Sequence, residues 1–270
     1  MKCFTPLLAQ LASAAVIWDG RFNDFSTSAD LNKWSWGNQV GPYQYYIHGS
    51  GAVEKYVNLS PDYKNPNDTA SKQGAKFTLD GTAYWNGQNM RRTELIPQTT
   101  AAINKGKVWY HFSMMRKDAN APSVNREHQI NFFESHFTEM KYGWISGESG
   151  TSNPNLQFMI SQQSKWKTEW KAGVWHNVAY EIFMIANLIA SNTRTSPPTP
   201  WASGTPRAAP PDAGSQARLG LDVVQRRRLA PGGVLELPRS GYSDATEDFY
   251  FSGVYIESGS ITTAVGGPAA

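Results

Sequence analysis

The chain has 270 residues, 13% of them aromatic, enough for one large β domain or two small ones, and one is expected. Its formal charge of +3 is concentrated: Arg194, Arg207, Arg218, Arg226, Arg227 and Arg228 stand against Asp212 and Asp222, while the rest of the chain beyond the N-terminal leader carries 18 basic and 20 acidic residues. That leaves no general basic surface for phosphates, which argues against a nucleic-acid partner; no apolar run approaches the ~20 residues that cross a bilayer, which argues against a membrane span.

The N-terminal "MKCFTPLLAQLASAA" has a lysine, a short apolar run and the small-x-small pattern Ala12-Ser13-Ala14. It reads as a secretion signal over residues 1–15, cut near Ala14 or Ala15, so an extracellular protein is expected. The only cysteine, Cys3, lies inside it. The mature chain then has no thiol for a disulfide or a metal, and its stability must come from packing. Two N-glycosylation sequons, "NLS" at Asn58 and "NDT" at Asn67, suit a secreted chain, with Pro61 weakening the first.

Short alternating segments rich in β-branched and aromatic residues, separated by Gly, Asn and Pro, predict strands over 74–80, 89–96, 106–116, 128–137, 155–162, 173–182 and 247–257. Many strands without evident helices imply an all-β fold, a sandwich or jelly roll of two facing antiparallel sheets. Residues 183–232 break the pattern. Between Phe183 and Tyr242 the only aromatic is Trp201, and Pro, Ala, Arg and Gly dominate. Two readings are open: a disordered insertion or linker, or a retained intron or frameshift within one domain spanning residues 16–270.

Within "NMRRTELIPQTT", strand alternation places Met90, Arg92, Glu94 and Ile96 on one face and Arg91, Thr93 and Leu95 on the other. A guanidinium beside Glu94 favours the carboxylate and is expected to lower its pKa, which suits a base; taken alone, the motif fits a solvent-facing ion pair better than a catalyst. In "HQINFFESHF", the same alternation aligns His128, Ile130, Phe132, Glu134 and His136. Phe132 and a neutral imidazole beside Glu134 would desolvate it and raise its pKa, which suits a general acid. Two carboxyl groups with divergent pKa values are what glycosidic cleavage needs. A metal held by His128, Glu134 and His136 is disfavoured because the three would span roughly 27 Å of strand. His136 reads more simply as a hydrogen-bonded structural histidine. Neither a metal nor any other cofactor is expected. No Gly-rich phosphate loop, GxSxG elbow or HExxH motif occurs. The many aromatics, Trp34, Trp36, Tyr43 and Trp85 among them, suit the apolar faces of sugar rings.

The segments "WDGRFNDF", "KWSWGNQVGPYQYYIHGSG", "WNGQNMRRTELIPQT", "VNREHQINFFESHFTEMKYGW", "SNPNLQFMISQQSKWKTEW" and "VLELPRSGYSDATEDFYFSGVYIESG" resemble glycoside hydrolase family 131, secreted fungal enzymes acting on β-glucans. The resemblance covers Val16 to about Ile182 and Gly233 to about Gly259. It implies a β-jelly roll whose concave sheet forms a broad open cleft, and inverting hydrolysis of β-1,3, β-1,6 and β-1,4 glucosidic bonds. The glutamate of "RRTELIPQ" falls on Glu94 and that of "FFESHF" on Glu134, the expected catalytic pair. Arg92, His128, Trp36, Tyr43 and Trp85 are expected to contact the glucan, with the protein acting as a monomer. Residues 183–232 depart from the family, whose members continue there with alternating strands and carry a histidine before "GVLELP", where this chain reads "RRRLAPGG". Whether this chain is active turns on that segment. The other classes weighed are a noncatalytic β-glucan-binding protein, which would release no product, and a jelly-roll polysaccharide lyase, whose unsaturated product would absorb in the ultraviolet.

Overall fold

A computed structural model describes residues 13–84, 90–185, 188–190, 201–204, 221–226 and 245–268. In chain order the strands are β1 (Ala15–Asp19), β2 (Tyr43–Ile47), β3 (Val57–Ser60), β4 (Gly74–Leu79), β5 (Met90–Pro97), β6 (Gly106–Met115), β7 (Glu127–Ile130) and β8 (Thr138–Tyr142). They continue with β9 (Asn155–Ile160), β10 (Gln163–Glu169), β11 (His176–Ile185), β12 (Leu188–Ala190), β13 (Trp201–Gly204), β14 (Leu221–Arg226) and β15 (Glu247–Ser258). Helix is confined to one α turn at Val53–Tyr56 and three short 3-10 segments among the described residues.

The strands form two sheets, as the alternation predicts. The eight-stranded sheet runs β12-β11-β6-β15-β4-β3, with β1 also paired to β15 and β13 to β11; the seven-stranded sheet runs β10-β9-β8-β7-β14-β5-β2. Among the described residues every pairing is antiparallel except that of β11 with β13. This is a sandwich of the jelly-roll class.

The long strands show why the sheets face each other. In β6, Val108, Tyr110, Phe112 and Met114 join the buried core, while Trp109, His111 and Ser113 point to the other side of the sheet. Rings from both sheets meet between them: Tyr110 lies edge-on to Phe133 at 5.1 Å, and Phe158 against Tyr180 at 5.4 Å. Each fully buried ring of this kind contributes about 2–3 kcal/mol, and with Cys3 as the one cysteine of the sequence no intrachain disulfide adds to this packing. At the sheet edge, β10 is mostly exposed and carries Lys165 and Lys167, charges that discourage pairing with another chain.

The strand expected over 128–137 holds only as far as Ile130, and a turn takes up the rest. β7 ends at Ile130, Asn131 and His136 adopt left-handed backbone (φ 47° and 51°), and the chain returns as β8, antiparallel to β7. Phe133 joins the core between the sheets, while Phe132 stacks on the His136 ring. The anomalous segment also does more than loop out. Within it β11 runs on to Ile185, β12 and β13 flank β11, and β14 fills the interior place between β7 and β5. Of the two readings left open, the disordered insertion does not hold for those residues; β14 there supplies partners to the facing backbone groups of β5 and β7.

Candidate active site

β5 separates the two arginines that the sequence places together. Arg91 points between the sheets, where it is 1% exposed; it donates to the carbonyls of Leu79 (3.4 Å) and Ala245 (2.9 Å) and pairs with Glu247 of β15 at 3.3 Å. Arg92 and Glu94 share the opposite, outer face of the seven-stranded sheet, and Arg92 Nε donates to Glu94 Oε1 in an ion pair. The pair is no solvent-facing one, since Glu94 is 1% exposed. Neighbouring strands complete its surroundings: Tyr46 of β2 stands opposite Glu94 in register, and the Arg92 guanidinium lies 5.6 Å from the centre of the Tyr46 ring, within cation–π range. The His48 ring meets Tyr46 edge-on at 4.7 Å, and burial together with the charge of Arg92 pushes the His48 pKa down, favouring a neutral imidazole.

Glu94 itself departs from the sequence-based expectation. Burial raises its pKa above the ordinary value of 4.5 and outweighs the lowering by Arg92; the charge of Glu134 adds to the rise, and His136 opposes it. The carboxyl groups of Glu94 and Glu134 therefore act on one another, although they come from β5 and from the turn joining β7 to β8. Glu134 sits at the exposed tip of that turn, not in the apolar strand setting expected for it. Of the two, Glu94 is the desolvated group.

The turn is held by a chain of polar contacts. The His136 ring stacks on Phe132 (4.8 Å, 11° between planes) and its Nδ1 lies 3.1 Å from Oε2 of the fully buried Glu139 in β8. Lys141 Nζ approaches Glu139 at 3.4 Å and donates to Glu127 at 2.9 Å and Gln162 at 3.0 Å. His136 is thus hydrogen-bonded, as its structural reading holds, and it also faces the charge of Glu94.

Two residues expected to touch a ligand lie inside the sandwich. His128 is 0% exposed, with Nε2 2.9 Å from Glu247 Oε2, because strand alternation turns it inward with Ile130. Tyr43 is a core ring, stacked on Phe22 at 5.4 Å, and its hydroxyl donates to the Gly20 carbonyl at 2.6 Å. Trp36 is 70% exposed and meets Trp34 edge-on at 5.1 Å. Trp85 lies outside the described residues. The sequence reading missed Tyr46, His48, Glu139 and Lys141. The alternation of Gln44, Tyr46 and His48 in "YQYYIHGSG" signals the first two. The other two lie on β8, over which the sequence reading places no strand.

Glu94 is thus a buried carboxyl with raised proton affinity and Glu134 an exposed carboxyl acting on it; glycosidic bond hydrolysis in general uses two carboxyl groups in unlike settings. The family model of the glycoside hydrolase 131 catalytic N-terminal domain matches residues 16–198. The fold is similar to the crystal structure of a GH131 β-glucanase catalytic domain from Podospora anserina, at 60% identity and a TM-score of 0.77 over 94% of this chain and 100% of that one. It is also similar to the catalytic domain of the glycoside hydrolase family 131 protein from Coprinopsis cinerea, at 40% identity and a TM-score of 0.73 over 93% of this chain and 97% of that one. No curated protein matches the sequence. The chain belongs to glycoside hydrolase family 131 and is a glycoside hydrolase.

Proposed function

We propose that the protein is a secreted, monomeric β-glucanase that hydrolyses β-1,3, β-1,6 and/or β-1,4 glucosidic bonds with inversion, using Glu94 as general acid and Glu134 as general base. The observation that carries this reading is the unequal carboxyl pair, with burial raising the pKa of Glu94 while Glu134 stands exposed. Protonated Glu94 gives its proton to the glycosidic oxygen as the bond to the anomeric carbon breaks. Glu134 takes a proton from the water whose oxygen attacks that carbon from the opposite side. Arg92 then pairs with the carboxylate that proton donation leaves on Glu94. These roles reverse those suggested by "RRTELI" alone. Secretion is supported by the small-x-small site at Ala12–Ala14, just ahead of β1.

Glu94→Gln and Glu134→Gln are each expected to lose about 10²–10⁴-fold in release of reducing ends from β-1,3-, β-1,6- and β-1,4-linked glucans, with circular dichroism unchanged. Substantial release by either variant would overturn the pair. An aryl glucoside with a good leaving group restores turnover to Glu94→Gln and not to Glu134→Gln if the roles are as stated; the opposite pattern exchanges them. Proton NMR of the first product reads inversion directly.

A further inference from the structure

The loop after β3 is fastened to the outer face of the eight-stranded sheet by side chains that alternate with exposed ones. Asn65 is 1% exposed and donates from Nδ2 to Asn177 Oδ1 of β11 at 3.0 Å. Asp68 is 0% exposed, accepts from the backbone of Ala70 (3.1 Å) and Ser71 (2.9 Å) and from the hydroxyl of Ser252 in β15. Lys64 closes the loop by donating to the carbonyls of Asp68 (2.6 Å) and Ser71 (3.0 Å). Between these anchors Asn67 and Thr69 face solvent, and among the described residues the Asn67 side-chain amide makes no hydrogen bond. Asn67 sits in a turn whose backbone N–H donates to Asn65 Oδ1 at 3.0 Å.

We infer that Asn67 carries an N-linked glycan in the secreted protein and that Asn58 does not; the inference rests on the secretion reading above. The residues of "NDT" stand as the modification requires, with the acceptor amide and the Thr69 hydroxyl outward while Asp68 alone is spent on holding the loop. Asn58 is placed differently. It is half-buried within β3, in register with Lys76 of β4, and Pro61 follows its sequon at once. In the transfer, Nδ2 of Asn67 attacks the anomeric carbon of an oligosaccharide carried on a lipid pyrophosphate. The C–N bond forms, the anomeric C–O bond breaks, the lipid pyrophosphate leaves, and one amide proton is released. The glycan projects from the sheet opposite the one bearing Glu94, so it leaves the site open.

The full chain, secreted from yeast, is digested with trypsin after treatment with an amidase that removes N-glycans and deamidates the carrying asparagine. Cleavage after Lys55, Lys64 and Lys72 puts the two sequons on separate peptides, residues 56–64 and 65–72. The expected result is deamidation at Asn67 with the 56–64 peptide unchanged, a single glycoform step on the intact protein that Asn67→Gln and Thr69→Ala each abolish, and glucan hydrolysis unaltered in both variants. A secreted chain with an unmodified 65–72 peptide, or with the glycan on Asn58 instead, overturns the inference. A second sample with the host's own secretion leader ahead of Met1 enters the secretory pathway whatever the native leader does. An unmodified Asn67 there refutes the glycan, whereas retention of only the native form in the cell refutes the secretion reading.

Discussion

Glu94 is where opposing influences meet on one side chain. Burial drives its proton affinity up, the Arg92 guanidinium draws it down, and burial wins. On the proposed assignment of Glu94 as general acid it must be protonated to act, so the alkaline limb of activity is expected above the ordinary carboxyl value of 4.5. Replacing Arg92 by methionine keeps much of the stem and removes the charge. Glu94 then holds its proton to higher pH, and the alkaline limb of kcat/KM moves up, while kcat falls because the carboxylate left after proton donation has lost its partner. A pH–rate profile of Arg92→Met against the parent reads both changes; a limb that stays in place would belong to another group. Arg91, one residue away, has no part in this, because strand alternation commits it to Glu247.

At the scale of elements, β14 and the β7–β8 turn decide what the outer face of the seven-stranded sheet presents. β14 pairs on both sides, with Val223 in register with Thr93 of β5 and Ile130 of β7. Proline there removes an N–H from an interior ladder and should cost about 3 kcal/mol or more. Val223→Pro is therefore expected to lower the denaturation midpoint sharply, whereas a loose insertion would tolerate it; urea melts followed by tryptophan fluorescence separate the two. The turn matters in another way. If 128–137 ran on as one strand, Glu134 would lie some four residues beyond the end of β7, roughly 13 Å along the sheet. Reversal at Asn131 and His136 instead brings it back within the electrostatic reach of Glu94.

Across the whole molecule, Glu247 ties the sheets together, reaching from β15 to Arg91 on β5 and His128 on β7. Those partners hold its pKa below 4.5 despite burial, so the stability it adds is present above the ordinary carboxyl range and is lost as pH falls through its folded value. Glu257, held down by His111 and Thr262, has the same sign. Glu94 has the opposite one: its raised pKa adds stability at low pH that disappears as pH rises through its folded value. Glu247→Gln leaves Arg91 buried without its counter-charge and is expected to cost about 3 kcal/mol at neutral pH. The cost should shrink toward acid pH, where the parent's carboxylate is protonated too. Denaturation midpoints measured from acid to neutral pH test this, and a difference independent of pH would assign the loss to packing alone. Alternation, a property of neighbouring residues, was enough to establish the all-β class, most of the long strands and the shared face of Arg92 and Glu94; the long motifs were enough for the family. Four matters were left to the tertiary structure: the direction of the Glu94 pKa shift, the turn that carries Glu134, the inward course of His128 and Tyr43, and the interior place of β14. Each depends on what lies across the sheet or between the sheets, and burial and register come from residues far apart in the chain, which no local period encodes.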